Sequence, residues 1–486
     1  MGEVSVWLAL ISWIAVATGI AYFAKRGLGE GATEYFIGGR RLGGFISGMS
    51  YSATTYSAFM LVGLVGLTYR SGVGALGFEM TYLMFTVLLL TVFAPRFWLA
   101  GRKYDVITPA ELLTVRYETK WAGVVSSVVF LVMLVPYASV QLMGIGFLVE
   151  GLTGGDIPYM AGVAVMAVFA GFSAIWAGMR SVSWSDAFQA ITMLTTSLFA
   201  LFYIFFQFFG GPGNFFRTVT TEHPELLELT WDPRLFIGLA LPWAFFALTN
   251  PQVSQRMFVP DKLSSLRRMI IYFSVFGFVY TVISTLFGFQ AASVLPQLEN
   301  PDKAMPVLLT RVPVPLGLII FIGIFAAASS TLGSITLTLS STVSRDIVRN
   351  VAPEVEEATE LRFGKLVIPL LIGVFVLFAW IQPGLIAVLS SMASGGLLVT
   401  APALIGAFYW KRGTGAGTVS SMAIGGIVTG IMSVANIKPL GWWPSVWGFF
   451  VTLILFFGVS LLTSPPEKSG EFVDYVQGEL KDLASE

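Results

Sequence analysis

The sequence contains no cysteine and one histidine, and only 12% of its 486 residues are charged. Without thiols there is no disulfide framework, no thiolate metal site and no cysteine nucleophile. The one histidine, His223, sits in the polar stretch TTEHPELLELT and reads as a solvated loop residue, so histidine metal clusters and Ser-His catalysis are excluded too. A soluble domain carries about 25% charge; here the 28 basic and 28 acidic residues cancel, which removes the basic field that a nucleic-acid binder needs. What remains is apolar: 55% hydrophobic and 14% aromatic residues, with a mean hydropathy of +0.79. That leaves too little polar surface to coat a globule of this size, so lipid must be the solvent for much of the chain, and a soluble enzyme is excluded.

A helix needs about 20 apolar residues to cross a hydrocarbon core of about 30 Å. Thirteen such windows occur, at 4–24, 42–68, 75–95, 121–149, 158–178, 185–209, 234–255, 269–293, 314–343, 365–382, 384–410, 417–436 and 443–463. They predict an all-α polytopic membrane protein with 13 transmembrane helices. The first window is followed by Lys25 and Arg26 but lacks a basic region before it and a small-residue cleavage site after it, so it is expected to be a retained helix and not a signal peptide. An odd number of crossings puts the termini on opposite sides. With the N-terminus outside, the outer segments hold Arg70, Arg217, Arg234, Lys303, Arg311 and Lys438, leaving 22 of the 28 basic residues inside. The positive-inside rule therefore places the C-terminus in the cytoplasm. Its acidic tail spaces Phe472, Val476, Leu480 and Leu483 helically, which predicts a short amphipathic helix resting on the cytoplasmic face.

Two windows are poor helices. The second contains Gly43, Gly44 and Gly48, then a hydroxyl-rich run from Ser50 to Ser57, and the seventh contains Pro242 and Pro251. Each proline removes a backbone donor, and freed backbone groups cannot face lipid; they are buried in protein or line an aqueous cavity. Small and hydroxyl residues also serve ordinary helix packing. The two breaks open successive blocks of five helices, two to six and seven to eleven, the spacing expected of a transporter built from inverted repeats. In the ninth window, Ala327, Ser330 and Thr331 stand at i, i+3 and i+4, so one carbonyl and two hydroxyls share a face. An oxygen-only, neutral set of this kind suits an alkali cation; back-bonding of the hydroxyls in a tight helix contact is the alternative. The acidic residues inside the windows are Glu79, near the outer end of the third helix and close to water, and Asp186, about one turn into the sixth. Ionisable residues at such depth are functional candidates.

The stretch EYFIGGRRLGGFISGMSYSATTYSAFMLVGLVG from Glu34 resembles the opening of the sodium:solute symporter family. WAGMRSVSWSDAFQ from Trp176, NPQVSQRMF from Asn250, AAASSTLGSITLTLSSTVSRDI from Ala326 and FYWKRGTGAGTVSSMAIGG from Phe408 follow in the family's order. The resemblance implies an extra N-terminal helix in 1–30, a LeuT-type five-plus-five inverted-repeat core in 34–412, two C-terminal helices in 413–464 and an acidic tail in 465–486. It also implies inward sodium flow coupled to uptake of a small organic solute, no enzymatic activity, no cofactor beyond the coupling ion, and residence in the lipid bilayer of the cell membrane.

Carried onto these residues, the resemblance assigns a sodium site to the carbonyls of Ala53, Tyr56 and Ala327 and the hydroxyls of Ser330 and Thr331, and sodium exit to Asp186. Thr55, Ser57, Phe59, Tyr137 and Trp243 are the expected solute-binding set. Proline-transporting members have an aspartate where this chain has Thr55, and sugar transporters use amides and acids that are scarce here. The region from Phe408 to Gly441 and the DIPY run at Asp156 look most similar to the pantothenate-permease branch, so pantothenate or another carboxylate is the expected solute and an amino acid such as proline the alternative. A cation channel, which needs an open pore and no solute cavity, is the alternative of a different class.

Overall fold

The computed structural model describes residues 1–25, 31–352 and 354–485; Arg26, which flanks the first window, lies outside them. Among the described residues there is no β-strand, only an isolated bridge between Leu42 and Pro260. Eleven helices among the described residues are long and apolar enough to cross a membrane: Glu3–Lys25, Val73–Tyr104, Lys120–Thr153, Tyr159–Trp176, Gly178–Phe209, Leu263–Val294, Val314–Val351, Glu357–Ile381, Ile386–Tyr409, Gly415–Val434 and Pro444–Leu462. Several run past their apolar windows, Val73–Tyr104 by nine residues at its end, because backbone hydrogen bonding continues into polar turns that hydropathy does not register.

The two remaining windows are not continuous helices. The first breaks between Gly44–Thr55 and a π-helical turn, Phe59–Leu64, that leads into Val65–Ser71. The second is split into Pro233–Ala244, Phe246–Thr249, Pro251–Ser254 and a 3-10 turn, Gln255–Phe258. Thirteen crossings require each broken segment to cross as one unit.

Val314–Ser341 is the hub. It is buried almost all round from Ile320 onward and packs most extensively on the helices over 159–209, as expected of a helix apolar on every face. Glycines let the first broken segment approach Leu263–Val294: a Cβ at Gly48 would lie 2.8 Å from the Tyr272 Cβ. The tail forms the helix Ser469–Ser485, with Phe472, Val473 and Val476 buried. Phe472 stacks on Tyr104 at 5.0 Å, and Asp474 pairs with Lys411 at 2.6 Å. Leu483 is exposed, so the docked face ends before the spacing suggested.

Candidate functional site

The first break has no proline, so its freed backbone groups need other partners. Tyr56 leaves the helix in an extended conformation (φ −95°, ψ 99°). The Ser57 hydroxyl then accepts from the Phe59 N–H at 3.1 Å, and the Gln141 side-chain carbonyl accepts from the Ala58 N–H at 3.1 Å. In the second break, Asn250 precedes Pro251 and is extended (φ −89°, ψ 108°), as the proline ring requires of its neighbour. The two breaks therefore arise from different chemistry: side chains that replace backbone partners in one, and a steric exclusion in the other.

The hub helix meets the first break at the expected residues. The Ser330 hydroxyl donates to the carbonyls of Ala53 (2.8 Å) and Ala327 (3.0 Å), and the Thr331 hydroxyl to those of Ala53 (3.3 Å) and Thr54 (3.1 Å). All of these residues are buried. Four of the five candidate sodium oxygens thus converge, together with the Thr54 carbonyl. Tyr56 supplies the extended residue at the break, while its ring turns away to stack on Phe273 at 5.7 Å.

One turn along the same two helices lies a buried ion pair. Asp186 Oδ2 accepts from Arg256 Nη2 at 2.9 Å, from Ser50 at 2.8 Å and from Thr54 at 3.5 Å. Arg256 also donates to Ser50 at 3.1 Å and to Ser334 at 2.6 Å, and Ser334 bonds Thr54 at 2.9 Å. Guanidinium, hydroxyls and carboxylate therefore close a ring that joins both broken segments to the hub and to Gly178–Phe209. A cavity of ≈ 40 Å³ beside it is lined by Asp186, Gln189, Ser329 and Ser330, room on the scale of a single water. Asp186 lies two turns beyond the Gly178 break (φ 68°), deeper than its place in the apolar window indicated.

The aromatic candidates also come together. Trp243 stacks on Phe59 at 5.2 Å and Phe246 at 5.1 Å, with Tyr137 at 6.2 Å and Tyr82 at 5.2 Å edge-on. Its indole N–H donates to the Ser391 hydroxyl at 3.0 Å, so the donor expected to face solute has an internal partner. The Thr55 hydroxyl is buried without a hydrogen-bond partner among the described residues, and Ser57, which caps the chain, also lies within hydrogen-bonding reach of the Tyr137 hydroxyl. Ser391 also lines a cavity of ≈ 300 Å³ with Arg70, Phe78, Trp231, Asp302 and Trp443.

Three features escaped the sequence. Arg256 counts there as a loop cation, yet it is 2% exposed; the only signal was its place five residues after Pro251. Gln141 lies mid-helix, where nothing marks it as the partner of another segment's backbone. Glu79, read as close to water, is fully buried, because its face of the helix is turned towards Tyr56 of the first broken segment.

The model of the sodium:solute symporter family matches residues 35–425. The sodium/pantothenate symporter of Escherichia coli (strain K12) is 28% identical over 478 residues, covering 96% of this chain and 98% of that protein. The sodium/proline symporter of Staphylococcus aureus is 28% identical over 493 residues, covering 96% and 94%. Among solved structures, an outward-open, substrate-bound Na+-coupled sialic acid symporter has a TM-score of 0.80 at 20% identity, covering 95% of this chain and 98% of that one. A nucleobase-cation-symport-1 family transporter has a TM-score of 0.59 at 14% identity, covering 92% and 98%. The fold is thus the LeuT-type one, the protein is a multi-pass membrane transporter and not an enzyme, and the chain belongs to the sodium:solute symporter family, whose members couple sodium to a small solute.

Proposed function

We propose that this symporter takes up a small carboxylate, pantothenate before others, and that its sodium ion binds where the first break meets the hub helix. The observation that carries the ion site is the convergence of the Ser330 and Thr331 hydroxyls on the carbonyls of Ala53, Thr54 and Ala327. Such hard, neutral oxygens suit an ion that has to be released in every cycle. Tyr56 contributes a further oxygen through its carbonyl, and Asp186 serves the exit route at the cavity beside Ser330. The solute lies against Phe59, Tyr137 and Trp243, with the hydroxyls of Thr55 and Ser57 at the break. Pantothenate is favoured by relatives of that specificity in Escherichia coli and Haemophilus influenzae, at 28% and 25% identity over most of the chain. Proline is the second reading, favoured by the Staphylococcus aureus relatives.

Each broken segment crosses the membrane as one unit in this reading, giving thirteen crossings with the N-terminus outside. Protease access to N- and C-terminal tags from one and the same side would refute that orientation.

The function is tested in proteoliposomes. A sodium gradient should drive accumulation of labelled pantothenate above its equilibrium level, and flux that only dissipates a solute gradient would point to a channel. Replacing Ser330 and Thr331 together with alanine removes two oxygen contacts to a charge, worth about 1–3 kcal/mol, so the sodium needed for half-maximal uptake should rise by about 5- to 150-fold. An unchanged sodium requirement in a folded, active double mutant would move the ion elsewhere.

A further inference from the structure

One buried charged group has no role in the site described. Glu79 lies in the second turn of Val73–Tyr104, and neither of its carboxylate oxygens has a hydrogen-bond partner among the described residues. Its neighbours are phenols, among them Tyr137. Tyr56 and Tyr82 interact with it electrostatically, and Thr281 stands beside the Tyr56 hydroxyl. Thr281 is within hydrogen-bonding reach of the Tyr56 phenol, while the Tyr82 hydroxyl is buried without a partner among the described residues.

The chain builds this cluster deliberately. Glu79 and Tyr82 stand at i and i+3 and so share a face of one helix, while Gly277 and Thr281 stand at i and i+4 on Leu263–Val294. A Cβ at Gly277 would lie 2.4 Å from the Tyr56 hydroxyl; glycine there leaves the phenol its place. An unpaired carboxylate inside a membrane protein is expensive, and an unsatisfied hydroxyl adds to the cost. An alkali cation removes both at once, because it neutralises the acid and takes the oxygens as ligands.

We propose that Glu79, Tyr56, Tyr82 and Thr281 form a second sodium site, on the face of the first broken segment opposite Ser330. Tyr56 then serves both ions, with its carbonyl at the break for the first and its phenol for the second. The proposal rests on sodium coupling and not on the identity of the solute.

Equilibrium binding of radioactive sodium to the purified protein, without solute, tests it. The wild type should bind two ions per chain, and Glu79→Gln and the Ser330→Ala/Thr331→Ala double mutant one each. Tyr82→Phe and Thr281→Val keep the carboxylate and drop one donor, so the second ion should bind several-fold more weakly; they carry the test if Glu79→Gln yields no folded protein. A wild type that binds one ion, or a Glu79→Gln protein that binds as many ions as the wild type, overturns the proposal. The second result would do so even if uptake had become sensitive to pH or to solute, since Glu79 would then hold a proton or touch the solute. A loss seen only in the double mutant would leave the Ser330 site standing and remove this one.

Discussion

Asp186 and Glu79 are both acids buried inside the helix bundle, and they are held in opposite ways. Asp186 is matched by a guanidinium and two hydroxyls in a closed ring. Glu79 faces hydroxyls and has no bond to any of them. A satisfied buried pair fixes geometry, whereas an unsatisfied acid leaves room for a ligand. The comparison breaks first at Arg256. Arg256→Ala strands the Asp186 charge and should cost about 3–5 kcal/mol of stability, seen as a large drop in melting temperature. Asp186→Asn together with Arg256→Gln should recover much of it. Glu79→Gln, measured without sodium, should leave the melting temperature level or raised, because it removes a buried acid that nothing offsets. Equal losses from Arg256→Ala and Glu79→Gln would end the distinction.

Asp302 falls between the two. It is buried in the short turn Pro301–Lys303, outside the membrane-spanning helices, and its Oδ2 accepts one bond, from the Ile386 N–H at 2.9 Å. Burial raises its pKa from 3.8 to about 7, and the Ile386 bond only partly opposes this. A carboxyl with a raised folded pKa binds its proton more tightly in the folded state. Its contribution is therefore complete below about pH 4, is lost as pH rises towards 7, and changes no further above. At about 1.4 kcal/mol per unit, the interval carries a few kcal/mol. The melting temperature should thus be lower at pH 8 than at pH 5, and Asp302→Asn, which keeps the acceptor for Ile386, should flatten that slope. A slope of the same size in the variant would assign the effect to another group.

The fold was largely legible because lipid imposes it: apolar length marks the spans, and all eleven continuous ones lie at expected windows. Both breaks were legible as well, one from its prolines and the other from a hydroxyl run. That Ser330 and Thr331 share one face followed from helical spacing within one segment. Arg256, Gln141 and Ser391 did not, since each acts on a different segment, and no periodicity in its own helix records that partner. Glu79 was placed on the right helix but in the wrong medium, because its packing against the first broken segment is a tertiary fact. Hydropathy reports what a segment can tolerate, and the partner of a polar side chain is settled only when segments meet.

The smallest expected effect contrasts two groups in the aromatic cluster. The Trp243 N–H is committed to Ser391 at 3.0 Å, while the Tyr137 hydroxyl has beside it only Ser57, whose oxygen already accepts from the Phe59 N–H. Trp243→Phe keeps the stacking on Phe59 and Phe246 but deletes that bond, so stability should fall by about 1 kcal/mol, the net worth of one hydrogen bond. Ser391→Ala should reproduce the loss, and the two changes combined should cost little more than either alone, because they remove the same bond. Tyr137→Phe removes a hydroxyl that has only Ser57 beside it and should lower the melting temperature less than Trp243→Phe does. Its effect belongs in solute affinity, which should fall more than in Trp243→Phe. If Trp243→Phe instead loses the more affinity at unaltered stability, the indole N–H exchanges Ser391 for the solute during the cycle, and Trp243 becomes the donor that positions the solute.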